Sequence, residues 1–198
     1  MIFDANEPIL IIGNAPITED ISAAVETYAR VVRFNFCAGM PRHLDRKCTD
    51  LWLSGRGRQA HKLVHSHLDI DAQQLQSVVV TDPTPNPLTQ RCFCLLGRQG
   101  SLDHGEALVT KFAPAHSKTR ITALARKQLL TELLSLGQPE CKPKWPSSGT
   151  QAIAHFVATG APVHITGFGF QGWKRHPWLL EQRYVAKLQE QGKLSYLC

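Results

Sequence analysis

Short, continuously apolar runs recur along the chain, each closed by a turn former. Ile9-Leu10-Ile11-Ile12 is the first, and Gly13-Asn14-Ala15-Pro16 breaks it. A run this short with no polar alternation predicts a strand buried on both faces. Thr18 is positioned to cap a helix that carries Ile21, Ala24, Val25 and Tyr28 on one side. Val31 to Phe34 reads as a second strand, so the opening segment has the size of a βαβ unit and predicts a parallel sheet with right-handed crossovers.

The same alternation continues. Leu51 to Leu53 predicts a third strand, Arg56 to His67 a basic helix, and Asp71 the cap of a short helix before the strand Val78 to Val80. Pro83, Pro85 and Pro87 mark a loop, and Cys92 to Leu96 reads as another strand with both thiols on one buried face. From Ser117 to Leu136 the spacing of Ile121, Leu124, Leu129, Leu133 and Leu136 is helical, and Gly137 stops it. Cys141 to Trp145 is a Pro/Lys loop. Ser147 or Ser148 caps a helix that ends at Gly160, Val163 to Ile165 is a strand, and Gly167-Phe168-Gly169 follows it. Pro177 opens a last helix that runs to about Gln191. No internal repeat or low-complexity tract interrupts this order. The expectation is an α/β fold: one Rossmann-like domain over residues 1–198, with a mostly parallel sheet flanked by helices.

Composition adds the electrostatic bias. The chain has 198 residues, 43% of them hydrophobic and 19% charged, which suits one compact core and excludes a disordered composition. Its formal net charge of +6 favours anionic partners without choosing among nucleotide, nucleic acid, anionic lipid and acidic glycan. None of the six cysteines stands in a Cys-x-x-Cys pair. The start MIFDANEPILIIGN has no positively charged leader or small-residue cleavage site, so the thiols are read as reduced and the protein as cytoplasmic.

Four short segments have residues suited to chemistry. Gly13-Asn14 ends the first strand, where ligands of open α/β sheets bind, and the helix after it offers free N–H groups to phosphate. Arg33-Phe34-Asn35 sets a second amide at the neighbouring strand end, suited to a base or ribose, though Asn at such a place also makes turns. Ser147-Ser148-Gly149-Thr150 converges hydroxyl and backbone donors on one helix start, suited to a phosphate or carboxylate or simply to an N-cap. In His176-Pro177-Trp178-Leu179-Leu180-Glu181 the helix entrance disfavours imidazolium, which makes His176 a neutral, base-competent group.

In their order, Ile-Ile-Gly-Asn, Arg-Phe-Asn, Pro-Ser-Ser-Gly, Gly-Phe-Gly and His-x-x-x-x-Glu resemble the motifs of the eukaryotic-type sialyltransferase family. The matches cover residues 9–54 and 146–185. The resemblance implies a variant GT-A fold and metal-independent, cofactor-free transfer of a 2-keto sugar acid from a CMP-activated donor to a glycan or lipid-linked acceptor. It implies that Asn14 and Asn35 contact the CMP moiety, and that Ser147, Ser148 and Gly149 hold the donor's carboxylate and phosphate. Gly13 and Gly167 would line that site, with His176 as catalytic base and Glu181 as its supporting partner. The chain departs from the family in three ways. The cysteine pair of the long and short motifs is missing, and the chain is shorter than the usual catalytic domain. The His-Tyr motif is missing too, which leaves Lys174 or Arg175 to meet the phosphate.

Other readings compete. A non-catalytic accessory protein that keeps a CMP-binding fold would also lack the His-Tyr motif. The basic segments Arg56 to Arg58, Lys118 to Arg120, Arg126-Lys127 and Lys142 to Lys144 would serve a nucleic-acid module. They are scattered and lack an aromatic stacking pattern, so no nucleic acid is expected, while peripheral contact with an anionic membrane would use the same charge. Asp69-Ile70-Asp71 lacks the buried strand that a metal-binding Asp-x-Asp should follow. His61 and His65, at i and i+4, read as a solvated helix face, so no metal is expected.

Overall fold

The computed structural model describes residues 7–38, 46–112 and 117–197, with the side chain of Gln99 left aside. The strands are β1 (Ile9–Ile12), β2 (Arg30–Phe34), β3 (Asp50–Leu53), β4 (Ser77–Val80), β5 (Ser117–Arg120), β6 (Val163–Thr166) and β7 (Leu194–Tyr196). They form one seven-stranded sheet in the order β5-β4-β3-β2-β1-β6-β7. Every pairing is parallel, with registers such as Leu10 opposite Val31 and His164.

The helices are α1 (Ser22–Glu26), α2 (Gly57–His65), α3 (Pro87–Leu95), α4 (Gly105–Lys111), α5 (Ala123–Leu134), α6 (Ser148–Ala158) and α7 (Trp178–Glu190). Strand side chains alternate between the two faces of the sheet, which explains why both faces need cover. Ile9, Ile11, Val32, Phe34, Trp52 and Ile165 meet Leu133, Ile153, Phe156, Leu180 and Val185 of α5, α6 and α7. On the opposite face Leu10, Ile12 and Val31 pack with Val25 of α1, while Leu51, Leu53 and Val78 pack with Leu63 and Leu108 of α2 and α4.

The elements with buried apolar runs lie where their pattern places them, and the differences are local. Cys92 to Leu95 belongs to α3, with Leu96 as its C-cap, and not to a strand, and both thiols are exposed. Asn86 accepts from the Leu88 N–H, and Pro87 occupies the first helical position, so local capping sets the helix. Ser117 to Arg120 is the edge strand β5, and α5 starts only after Thr122, whose hydroxyl accepts from the Ala125 N–H. The exposed SKTR sequence of β5 carries no apolar signal, and its strand state comes from pairing with β4. Thr18 lies outside α1, where Asp20 instead accepts from the Ser22 N–H. Asp71 forms a turn by accepting from the Gln73 N–H, and no helix follows it before β4.

Candidate functional site

In a parallel sheet the carboxyl ends of the strands lie along one edge, and the chain reverses its winding at β1, between β2 and β6. Gly13 and Gly167 meet there. The Gly13 N–H donates to the Thr166 carbonyl at 2.8 Å and the Ala15 N–H to the Gly167 carbonyl at 2.9 Å. A methyl group on Gly13 would collide with the Gly167 carbonyl, and Gly167 itself has φ of +68°. These two glycines therefore let two backbones touch. Gly149 does the same for the start of α6, since a Cβ there would lie 2.7 Å from the Phe168 ring. Asn14 is exposed at the strand end.

Asn35 ends β2, next to β1 in the sheet, with φ of +52°, a region that Asn tolerates better than most residues. Its N–H donates to the Trp52 carbonyl at 3.0 Å, and its side-chain oxygen accepts from the Ser54 N–H at 2.8 Å. Its side chain thus closes the end of β3.

Across this edge stand the N-termini of α6 and α7, joined by one buried carboxylate. Glu181 is fully buried. One of its oxygens accepts from the Ser147 N–H at 2.8 Å, and the other from the Ser147 and Thr150 hydroxyls at 2.6 Å each. The Ser147 hydroxyl in turn accepts from the Thr150 N–H, which caps α6. Burial raises the Glu181 carboxyl above the usual carboxylate range, and the bonds from Ser147 and Thr150 oppose that rise. Ser148 turns the other way and shares a hydrogen bond of 3.2 Å with Thr81 at the end of β4.

His176 precedes α7. Its Nδ1 lies 2.8 Å from the Trp145 carbonyl oxygen. A carbonyl can only accept, so Nδ1 is the protonated nitrogen and the lone pair is on Nε2. The ring is edge-on to Trp173 and Trp178, with centroids 4.9 and 5.0 Å away. Burial is the main cause that lowers its pKa, with Arg126 adding to the effect and the Trp145 bond opposing it. Lys174 and Arg175 are exposed, and the Arg175 carbonyl accepts from the Lys144 N–H at 3.0 Å.

Beside His176 lies a group that sequence reasoning missed. Asp82, two residues past β4, accepts from Arg126 at 3.0 Å and from the Gly55 N–H at 2.9 Å. Both side chains of this ion pair are 7% exposed. The Arg126 guanidinium stacks 4.1 Å from the Trp145 ring centre, and the Lys144 ammonium lies 4.4 Å from it. Burial lowers the Lys144 pKa, helped by Arg175, Arg56 and Arg126. A signal for Arg126 was present: it stands three residues before Leu129 and seven before Leu133, on the buried stripe of α5. A cation there needs a buried acid, and only the fold names Asp82.

Away from this edge, the His61 ring centre lies 4.8 Å from that of the tilted His65 ring and 5.4 Å from that of His104, which it meets edge-on. Among the described residues no group of three His, Cys, Asp or Glu side chains is placed to hold a metal ion. Asp69 pairs with Arg46 at 2.8 Å. Among the described residues no helix is long and apolar enough to cross a membrane.

The parallel sheet with helices on both faces is the α/β architecture of the sialyltransferases. The chain superimposes on the crystal structure of a mammalian sialyltransferase with a TM-score of 0.56 and 16% identity, over 97% of this chain and 69% of that one. At that identity the likeness establishes the fold. No family model matches the chain. It is 30% identical over 205 aligned residues to the urease operon 23 kDa accessory protein of Rhizobium meliloti (strain 1021), covering 96% of this chain and 92% of that protein. The chain belongs to the family of that accessory protein. This relationship overturns the expectation of a CMP-sugar transferase with His176 as general base: what the motifs share with sialyltransferases is a fold.

Proposed function

We propose that the chain is a non-catalytic accessory protein built on a sialyltransferase-like fold, and that it acts in the maturation or assembly of a urease. The observation that carries this reading is the relationship to the urease operon accessory protein, which spans nearly the full length of both chains. The site geometry agrees with it. Glu181 spends both carboxylate oxygens on the α6 cap, and Gly13 and Gly167 hold two chain segments together. These three candidate site residues bond to or pack against the chain itself.

The test is genetic and enzymatic. Deleting the gene should lower urease activity in cell extracts, and the wild-type gene supplied in trans should restore it. His176→Gln should restore it as well, since no proton transfer is required of it. The purified protein should release no CMP from CMP-sialic acid or CMP-Kdo. Unchanged urease activity on deletion would sink the reading, as would CMP release that His176→Gln abolishes.

A further inference from the structure

A second concavity lies apart from the strand ends just described, between α2 and the loop that precedes α4. Gly57 opens α2 with φ of +80°, and its N–H donates to the Leu102 carbonyl at 3.1 Å. The backbone around Gly100 therefore runs close to the helix start, and the space left between them is a cleft of about 480 Å³. It is lined by Arg58, His61, Lys62, Gly97, Arg98 and Gly100. Arg58, His61 and Lys62 are spaced i, i+3 and i+4, so one face of α2 forms one wall.

The charge in this cleft is one-sided. Three of its six lining residues are permanent cations and none is acidic. Among the described residues, Arg58, Lys62 and Arg98 form no ion pair. The surrounding sequence supplies no remedy, because neither Gly57 to Leu68 nor Pro83 to Leu102 contains an Asp or Glu. The two acids that bound the second stretch are engaged elsewhere: Asp82 with Arg126 and Asp103 with Arg120 at 2.7 Å. Arg58 also stands in the first turn of α2, where the helix dipole disfavours a cation. Fold stability gains nothing from like charges gathered in one concavity at a positive helix end. A concave surface of one sign instead focuses the field that concentrates oppositely charged ligands.

We propose that this cleft binds a polyanion with several closely spaced anionic oxygens, either a phosphate chain or a run of carboxylates on a protein segment. Its volume suits a small ligand or a short extended segment. Arg58 and Arg98 supply planar forks for paired oxygens and Lys62 a point charge. The site is independent of urease and of the strand-end residues, so its fate and that of the accessory reading are decided separately.

Gly100 provides the test without disturbing the core. It has no left-handed φ, and a Cβ there meets nothing within 4 Å. Gly100→Glu therefore sets a carboxylate into the cleft, and Gly100→Gln adds the same bulk without charge. Isothermal titration of the full chain uses inorganic tripolyphosphate and a hexaglutamate peptide as separate probes, each at low and at high sodium chloride. At least one should bind at low salt and weaken at high salt. Gly100→Glu and the double variant Arg58→Ala/Lys62→Ala should each weaken that binding by about tenfold or more, with Gly100→Gln close to wild type. Binding of tripolyphosphate alone assigns a phosphate chain, binding of the peptide alone an acidic segment, and binding of both the shared chemistry. The proposal is overturned if neither probe binds at low salt, or if binding ignores both the Gly100→Glu and the double substitution.

Discussion

A buried charge is tolerated where hydrogen bonds or an opposite charge compensate it, and two residues here show two ways of doing so. Glu181 does so with neutral donors, and Arg126 with a carboxylate and a tryptophan face. Removing either partner strands the rest. Arg126→Ala should cost roughly 3–5 kcal/mol by leaving Asp82 buried and unpaired, read by urea unfolding at neutral pH. Glu181→Ala should cost about 3 kcal/mol, since it leaves the Ser147 and Thr150 donors facing a void. The two titrations have opposite signs. Burial raises the Glu181 carboxyl, so the folded protein holds that proton more tightly than the unfolded chain. Its share of stability is present below the ordinary carboxylate range and is lost as pH rises through the raised value. Burial lowers His176, and it lowers His155 with help from Arg30. Their share is present above the ordinary value of 6.5 and is lost as pH falls through the lowered ones. Urea unfolding from pH 4 to 8 should therefore show His155→Phe flattening the fall toward acid, while Glu181→Gln removes a component that works the other way.

At the scale of elements, the glycines at the strand ends are fixed by contact. Gly13→Ala should destabilise by about 1–3 kcal/mol or more, because the Gly167 carbonyl fills the place of the new methyl. Ser147→Ala should cost about 1–2 kcal/mol from the lost α6 cap alone, with the effect on Glu181 added. Among the described residues α3 is the α-helix that buries no side chain, and it leaves Leu95 88% exposed. Its amides should exchange with deuterium well before those of α6, which contributes Ala152, Ile153 and Phe156 to the core. The same difference explains which elements the sequence disclosed. β1, β4, α6 and α7 carry their burial pattern in their own residues. β5 has no such pattern and is a strand because β4 offers it an edge; α3 depends on Asn86 and Pro87, which a helix-or-strand reading of Cys92 to Leu96 alone does not weigh.

At the scale of the molecule, an enzyme-like fold serves an accessory family. The chain has the α/β fold of a mammalian sialyltransferase, and at its strand ends Gly13, Gly167 and Glu181 pack against or bond to the chain itself. A net charge of +6 is unevenly distributed over this frame, and the cleft beside α2 takes a part of it that no acid balances. Salt should accordingly affect ligand association at that cleft much more than it affects folding, because the buried pairs are shielded from screening. Unfolding midpoints measured at low and high salt, set beside the titrations, would show this contrast.

The sequence by itself determined the α/β class, the parallel β1-α1-β2 opening, the capped start of α6, the entry of α7 at Pro177, and the likeness of the strand-end motifs to those of sialyltransferases. Each follows from information local to a few residues: apolar runs, caps and turn formers. Only the tertiary structure decided what the residues of those motifs touch. Whether Glu181 is free or sealed depends on Ser147 and Thr150, more than thirty residues earlier. Whether Gly13 faces a ligand or a carbonyl depends on where β6 docks. That Arg126 meets Asp82, and that Arg58, Lys62 and Arg98 share one cleft, are facts of chain packing. Propensity acts along the chain, whereas burial and charge act through space, and these contacts were decided by the second.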